Sequence, residues 1–355
     1  NFIEDGGPAL DYVLSVGKVG VLVLTLPFTV DINLFPLDAR IGVWRSINGA
    51  PPVLDGDAVW FVRRWDYGSD YTTITALHGN DLFARRAIYY GTWQAQANHA
   101  GDSAANLIRN IINENMLGGM TAFRYGTGSA APANISAYVA LAAAINQGTT
   151  VAKAAAWCSL MDTIQEIADA SAQSGVYVTA EVVAPTESTL EVRTYAYQRG
   201  ADHSALSGQP VIFSEQRGNL ANPILTIDRT QEITFALAGG QGEGALRQTA
   251  FAVDATRGAA SPLNHHETFV DVSNISDATQ LQHEADAAVW AGRPVQVLTA
   301  DLVETPATTR GIHFDLGDKV TIEHRGLNLD VRLDLIHETV SAKERRSEIR
   351  VRTTL

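Results

Sequence analysis

Phe314 to Ser341 reads FDLGDKVTIEHRGLNLDVRLDLIHETVS, and its alternation decides the fold class. Val320 and Ile322 alternate with Lys319, Thr321 and Glu323. Leu327, Leu329, Val331, Leu333 and Leu335 alternate with Asn328, Asp330, Arg332 and Asp334. A period of two marks strands with one dry and one wet face. Arg325 and Gly326 sit between the runs, where glycine accepts a positive φ, so a tight hairpin turn is expected there. A third run, Glu348 to Thr353, continues the alternation through Ile349 and Val351 after the polar tip Lys343 to Ser347. Three such strands suffice for a stable small sheet or barrel.

The same grammar recurs at the start of the chain. DYVLSVGKVGVLVLTLP, ARIGVWRSI, AVWFVRRWDYG and YTTITALHG are β-branched or aromatic runs separated by Gly, Pro, Asp and Asn, the spacing of a barrel or sandwich. The period then changes. In DSAANLIRNIINENMLGG, Ala104, Leu107, Ile108, Ile111 and Ile112 recur at helical spacing, with Asp102 as the expected N-cap and Gly118 as the stop. WCSLMDTIQEIADASAQSG places Trp157, Leu160, Met161, Ile164, Ile167 and Ala168 on one face of a second helix. VYVTAEVV and TLEVRTYAY read as antiparallel strands joined around Pro185 to Glu187. The Ala- and Gly-rich stretch between the helices, Gly119 to Ala156, has no readable register. Strands resume at Pro210, a helix capped by Asp277 carries Leu281, Ala285, Ala288 and Val289 inward, and closing strands begin near Val295.

The fold class expected is β-rich α+β, with two tube-type β-barrels and two inserted or appended α+β domains. The division is a first barrel over 1–98, an α+β unit over 99–208, a second barrel from 209–240 plus 295–355, and a small α+β insertion over 241–294. A chain of 355 residues exceeds one ordinary core, and 46% hydrophobic residues rule out disorder. Charged residues are 18%, below the soluble average of roughly a quarter, which fits a surface partly covered by partners. The net charge of −13 argues against a grip on nucleic acid. The run VGVLVLTLPF is too short to span a membrane and no basic region precedes it, so the chain reads as soluble and without its own export signal. It begins at Asn1, as it would if an initiating segment preceded it.

No constellation carries obvious chemistry. GGQGEG, Gly239 to Gly244, resembles a phosphate loop, but the ALRQTAFAVD that follows alternates as a strand, where nucleotide binding needs a helix. His265, His266 and Glu267, and His283, lack the helical pairing of a zinc hydrolase. Cys158, the single cysteine, excludes an internal disulfide and reads as a buried inert thiol. Thirty-nine acidic residues single out no carboxylate pair, and no nucleophile elbow appears. Trp44, Trp60, Trp65 and Trp93 suit a core better than a sugar platform. No catalytic, cofactor or metal residue is assigned, and no enzymatic activity is expected.

The order of short motifs resembles the tail-hub proteins of long-tailed phages. VGVLVLTLP, DARIGVWR, VWFVRRW and DLFARRAIYY are similar to that family's N-terminal barrel. DSAANLIRNIINENMLG is similar to its first helix, VIFSEQRGNL and GGQGEGALR to its central strands and loop, and FDLGDKVTI to its last barrel. The resemblance implies a structural homotrimer in the virion at the distal end of the tail. Two barrels per subunit would continue the tail tube as a ring with a channel through which DNA passes without specific binding. It also implies as partners the distal tail ring protein, the tape-measure protein and tip or fibre proteins, with no membrane insertion and no cofactor. The alternatives are a tail-associated cell-wall hydrolase and a carbohydrate- or receptor-binding module. For the channel, Arg63, Arg64, Arg85 and Arg86 are the test cases: as adjacent pairs they cannot all point one way on a regular pleat, and they would otherwise anchor neighbouring subunits or local carboxylates.

Overall fold

The structure is a computed structural model describing residues 9–47, 49–90, 97, 99, 101–118, 135–151, 153, 155–341 and 345–352. The chain divides into two compact units, Asn1–Ile224 with Leu298–Leu355, and Leu225–Val297.

The first unit is built on a twelve-stranded sheet whose strands are numbered here in chain order. They are β1 (Ala9–Ser15), β2 (Val21–Pro27), β3 (Arg40–Ile41), β4 (Trp60–Tyr67), β5 (Tyr71–His78), β6 (Asp202–His203), β7 (Ile212–Ser214), β8 (Leu220–Asp228), β9 (Val295–Leu302), β10 (Lys319–His324), β11 (Leu327–Val340) and β12 (Arg345–Arg352). The order is β8-β9-β12-β11-β1-β2-β5-β4-β3, with β10 also paired to β11 and the short β6 and β7 running parallel to β10. The sheet is mixed. Its two ends, β8 and β3, do not pair with each other, so the described strands form no closed barrel. The expected N-terminal and C-terminal barrels instead share one sheet, because β1 pairs with β11 from Leu10↔Val340 to Ser15↔Leu335. β11, 14 residues long, pairs with β10 over Leu327–Arg332 and, further along, carries β1 and β12 on opposite edges over Leu335–Val340.

The hairpin β10–β11 forms as read. Arg325 (φ 50) and Gly326 (φ 77) are both left-handed, the geometry of the two-residue turn that matches strand twist. Val320, Ile322, Val331 and Leu333 are buried. Beyond Leu333 the phase changes at a register shift between Arg332 and Leu335: Leu335 is half-buried, and Ile336 and Glu338 point inward. A bulge inserts one residue and turns every later side chain to the other face. One face is therefore not uniformly dry. It carries an acid, and Thr321 is buried too, its hydroxyl donating to Asp330 at 2.6 Å.

Between β5 and β6 lies the helical core. Helix α1 (Ala104–Ile112) buries Ala104, Leu107, Ile108, Ile111 and Ile112, and passes into a wider π turn, Asn113–Leu117, that ends at Gly118 with φ 119. Its N-cap is Ser103 and not Asp102, whose carboxylate accepts from Asn110 Nδ2. Helix α2 (Leu160–Gln173) is capped by Ser159, whose hydroxyl accepts from Asp162 N–H. Trp157 lies before that cap and is exposed, so it is no part of the inward stripe. Both helices contact the strand Val178–Val183, which pairs antiparallel with Leu190–Ala196 as expected. Val139–Leu141 adds a parallel third strand within the stretch whose register the sequence does not reveal. Residues 119–134 of that stretch lie outside the described residues.

The second unit is smaller. Phe235–Gly239 pairs antiparallel with Thr249–Val253 and parallel with Glu267–Asp271. Helix α3 (Ala278–Ala291), capped by the Asp277 carboxylate as read, buries Leu281, Ala285 and Val289 against Ala236, Ala238 and Ala252.

Candidate assembly surfaces

Buried charged groups of the first unit form an ionic clamp. Arg310, 1% exposed, donates from Nη2 to Asp55 Oδ1 at 2.9 Å, from Nη1 to Glu338 Oε1 at 2.8 Å and from Nε to Asp315 Oδ1 at 3.2 Å. Arg45 Nη2 donates to the same Glu338 oxygen at 2.7 Å, and Tyr12 Oη donates to Asp55 Oδ2 at 2.6 Å. Tyr12 and Glu338 face each other in the β1–β11 register. Burial works against the Arg310 charge, but the carboxylates of Asp55 and Asp315 outweigh it, and its pKa lies above the usual value. Burial and the neighbouring Asp55 also push the Tyr12 phenol up. With Glu338 fully buried and Arg310 nearly so, the cluster ties the N-terminal strands to the C-terminal ones.

Another buried acid, Glu181, accepts from Gly17 N–H at 3.0 Å and pairs with Arg199, whose Nη2 donates to Gly56 O at 2.7 Å. His78 is buried and neutral: desolvation lowers its pKa to about 4, and its Nδ1 accepts from Asn80 N–H. These groups serve the interior.

The loop from β2 to β3, PFTVDINLFPL, exposes Phe28, Ile32, Leu34 and Leu37, with Leu34 69% exposed. It is an ordered loop. Asp31 caps the short helix Ile32–Leu34, Trp65 Nε1 donates to Phe35 O at 2.8 Å, and Asp38 N–H donates to Val62 O. Sequence reading did not single out this loop. Its signal is five large apolar residues between Pro27 and Pro36, four of which, Phe28, Val30, Ile32 and Leu34, alternate as a strand would, where the structure forms a turn and a short helix.

Of the arginines, Arg63 and Arg85 both pair with Asp38, Arg85 also pairs with Asp81, and Arg64 pairs with Asp66. A register shift between Val62 and Arg64 breaks the pleat, which is how adjacent Arg63 and Arg64 both reach solvent. Arg86 makes no ion pair among the described residues. Three of the four are thus bound to local carboxylates.

The remaining sequence candidates scatter. Trp60 is core, edge-on to Tyr12; Trp65 is half-buried; Trp44 is exposed; Trp93 lies outside the described residues. Cys158 is only half-buried, 3.3 Å from Thr163 Oγ1. His265, His266 and His283 are exposed, and among the described residues no group of three His, Cys, Asp or Glu side chains could hold a metal. Gly239 to Gly244 lead through a short turn into the strand Thr249–Val253. Among the described residues no helix is long and apolar enough to cross a membrane.

The profile of the Siphovirus ReqiPepy6 Gp37-like protein family matches residues 59–352. No curated protein matches the sequence. Among solved structures, the tail protein from Neisseria meningitidis MC58 is similar with a TM-score of 0.57 and 14% identity, over 97% of this chain and 91% of that one. The 43 kDa tail protein of prophage MuSo2 from Shewanella oneidensis is similar with a TM-score of 0.53 and 12% identity, over 97% and 93%. At these identities the likeness is one of fold.

Proposed function

Because the chain belongs to the Siphovirus ReqiPepy6 Gp37-like family, we propose that it is a structural hub at the distal end of a phage tail. Three copies form a ring that continues the tail tube, joins it to tip or baseplate components and leaves a channel for DNA. In this reading the strands of 1–98 and those of 209–240 with 295–355 act as two tube-type modules of the wall, and 99–208 and 241–294 decorate it. Its neighbours are the distal ring protein, the tape-measure protein and tip or fibre proteins. Its role is not enzymatic.

The observation that carries the reading is the open sheet. β8 and β3, whose outer edges pair with no other strand among the described residues, lie at the extremes of one twelve-stranded sheet, and the apolar loop Phe28–Leu37 leads directly into β3. Open edges invite lateral pairing unless something covers them. Self-association of this heterologous kind closes into a ring when the rotation per copy divides a full turn. The net charge of −13 suits a channel wall past which DNA slides, since each phosphate contact to Lys or Arg would add affinity. The test is solution mass. The parent chain sediments as three copies, and Leu34→Glu with Leu37→Glu sediments as one with its circular dichroism unchanged. A parent that stays a single copy at high concentration argues against the ring, and release of soluble fragments from host envelope above a heat-treated control argues against a purely structural role.

A further inference from the structure

The small sheet of the second unit is covered on one face only. Ala236, Ala238 and Ala252 turn toward α3. By the strand register, Phe235, Leu237, Phe251, Val253 and Phe269 share the opposite face, and there Phe251 is 61% and Phe269 53% exposed. Phe235 and Phe251 stack at 6.0 Å, so the aromatic surface is ordered. Exposed apolar area from Phe251, Phe269 and Val253 is on the order of 350 Å², the size of the largest patch on a typical monomer and one that is often functional.

Charge decides what covers it. Residues 225–297 hold nine Asp and Glu against four Arg and no Lys, a balance of 4 − 9 = −5. The arginines are engaged within the unit. Arg229 binds Glu232; Arg247 binds Asp271 and lies over Phe269; Arg257 binds Asp254 and the carbonyls of Val289 and Gly292; Arg293 lies over Trp290. Glu267, on the bare face itself, has no ion-pair partner among the described residues and is exposed. A second copy of this face would bring the same acidic surplus against itself, and like charges brought together across an interface oppose association.

We infer that this face docks a different protein, one presenting an apolar strand or helix flanked by Lys and Arg. The aromatic side chains supply the buried anchor and the acidic surround supplies steering and selection. The inference rests on the face alone and not on the ring.

The experiment uses the full chain and two synthetic peptides of equal length, one alternating Leu with Lys and one alternating Leu with Glu, followed by fluorescence anisotropy at low and high salt. The Leu–Lys peptide binds at least tenfold more tightly than the Leu–Glu peptide, and salt narrows the gap. Phe251→Ser with Phe269→Ser weakens Leu–Lys binding at least tenfold, while the chain keeps a cooperative thermal melt and its sedimenting mass. Glu267→Lys, which leaves the aromatic surface intact, lowers the preference between peptides. Equal binding of both peptides overturns the proposal, as does binding indifferent to the double substitution. A change in the chain's own sedimenting mass on that substitution would identify a second copy as the occupant and overturn it equally. None of these outcomes depends on whether the parent forms a ring.

Discussion

Among the described residues there are two three-stranded sheets, and their surroundings differ. In the first unit every residue of Val178–Val183 is buried. Val178, Ala180 and Val182 join the helical core, and Glu181 is spent on Gly17 N–H and Arg199. In the second unit, the strand Thr249–Val253 buries only Ala252 and leaves Phe251 and Val253 to solvent. Both sheets use strands of similar length, so propensity does not separate them. The difference lies in what each face meets: where a sheet is enclosed, even an acid is held by partners, and where it is bare, aromatic residues stand without cover. An enclosed sheet is architecture, and a bare one is a surface available for binding.

Substitutions sharpen this contrast, beginning with the largest effect. Val182→Asp places an unpaired charge at a fully buried position and costs more than about 4 kcal/mol, read as loss of the cooperative urea transition. Arg310→Met takes from the buried Asp55 and Glu338 one of the two arginines that pair with them, leaving Arg45, and costs about 3 kcal/mol in the same assay. A cost below 1 kcal/mol would mean that the clamp contributes little to holding β1 and β11 together.

His78 gives the contrast a pH axis. Its pKa is lowered from 6.5 to about 4 by burial, so folding favours the neutral ring. The stability this represents is present above pH 6.5 and is lost as pH falls through 4; it amounts to about 3 kcal/mol. Protonation would also remove the acceptor that receives Asn80 N–H. Unfolding free energy measured from pH 7 to pH 4 therefore falls in the parent and falls less steeply in His78→Gln. Parallel curves would show that the ring is not the group responsible.

Smaller effects follow. Gly326→Val forces a β-branched residue to φ 77 and costs about 1–2 kcal/mol by urea unfolding, while leaving the overall secondary structure intact. Phe251→Ser with Phe269→Ser lowers stability by only about 1 kcal/mol, because more than half of each side chain already faces solvent. A loss of several kcal/mol there would make the bare face part of the fold.

What the sequence makes legible is what is local. The β10–β11 hairpin, the helices α1 to α3 and the Asp277 cap depend on residues within a few positions of one another. The joining of β1 to β11 depends on residues more than 300 positions apart, such as Asp11 and His337, whose side chains meet at 2.9 Å. Nothing near either strand announces that, and separate barrels were the natural expectation. The inward turn of Glu338 is similar, since its partners Arg310 and Arg45 lie 28 and 293 positions away. One clue was local: Leu335 and Ile336 are adjacent apolar residues, which a strict period of two forbids and a bulge explains. The exposed loop Phe28–Leu37 and the bare aromatic face escaped because composition shows that apolar residues are present without showing what covers them.

The central claim, that this chain is one of three forming a ring at the distal end of a tail, is tested most directly by a three-dimensional reconstruction of the assembled tail tip. The account predicts a threefold ring there into which three copies of this fold can be placed, with Leu34 and Leu37 against a neighbouring copy and a channel lined mainly by acidic and neutral side chains. A tip without threefold density for this chain, or a lumen dominated by Lys and Arg, would contradict it.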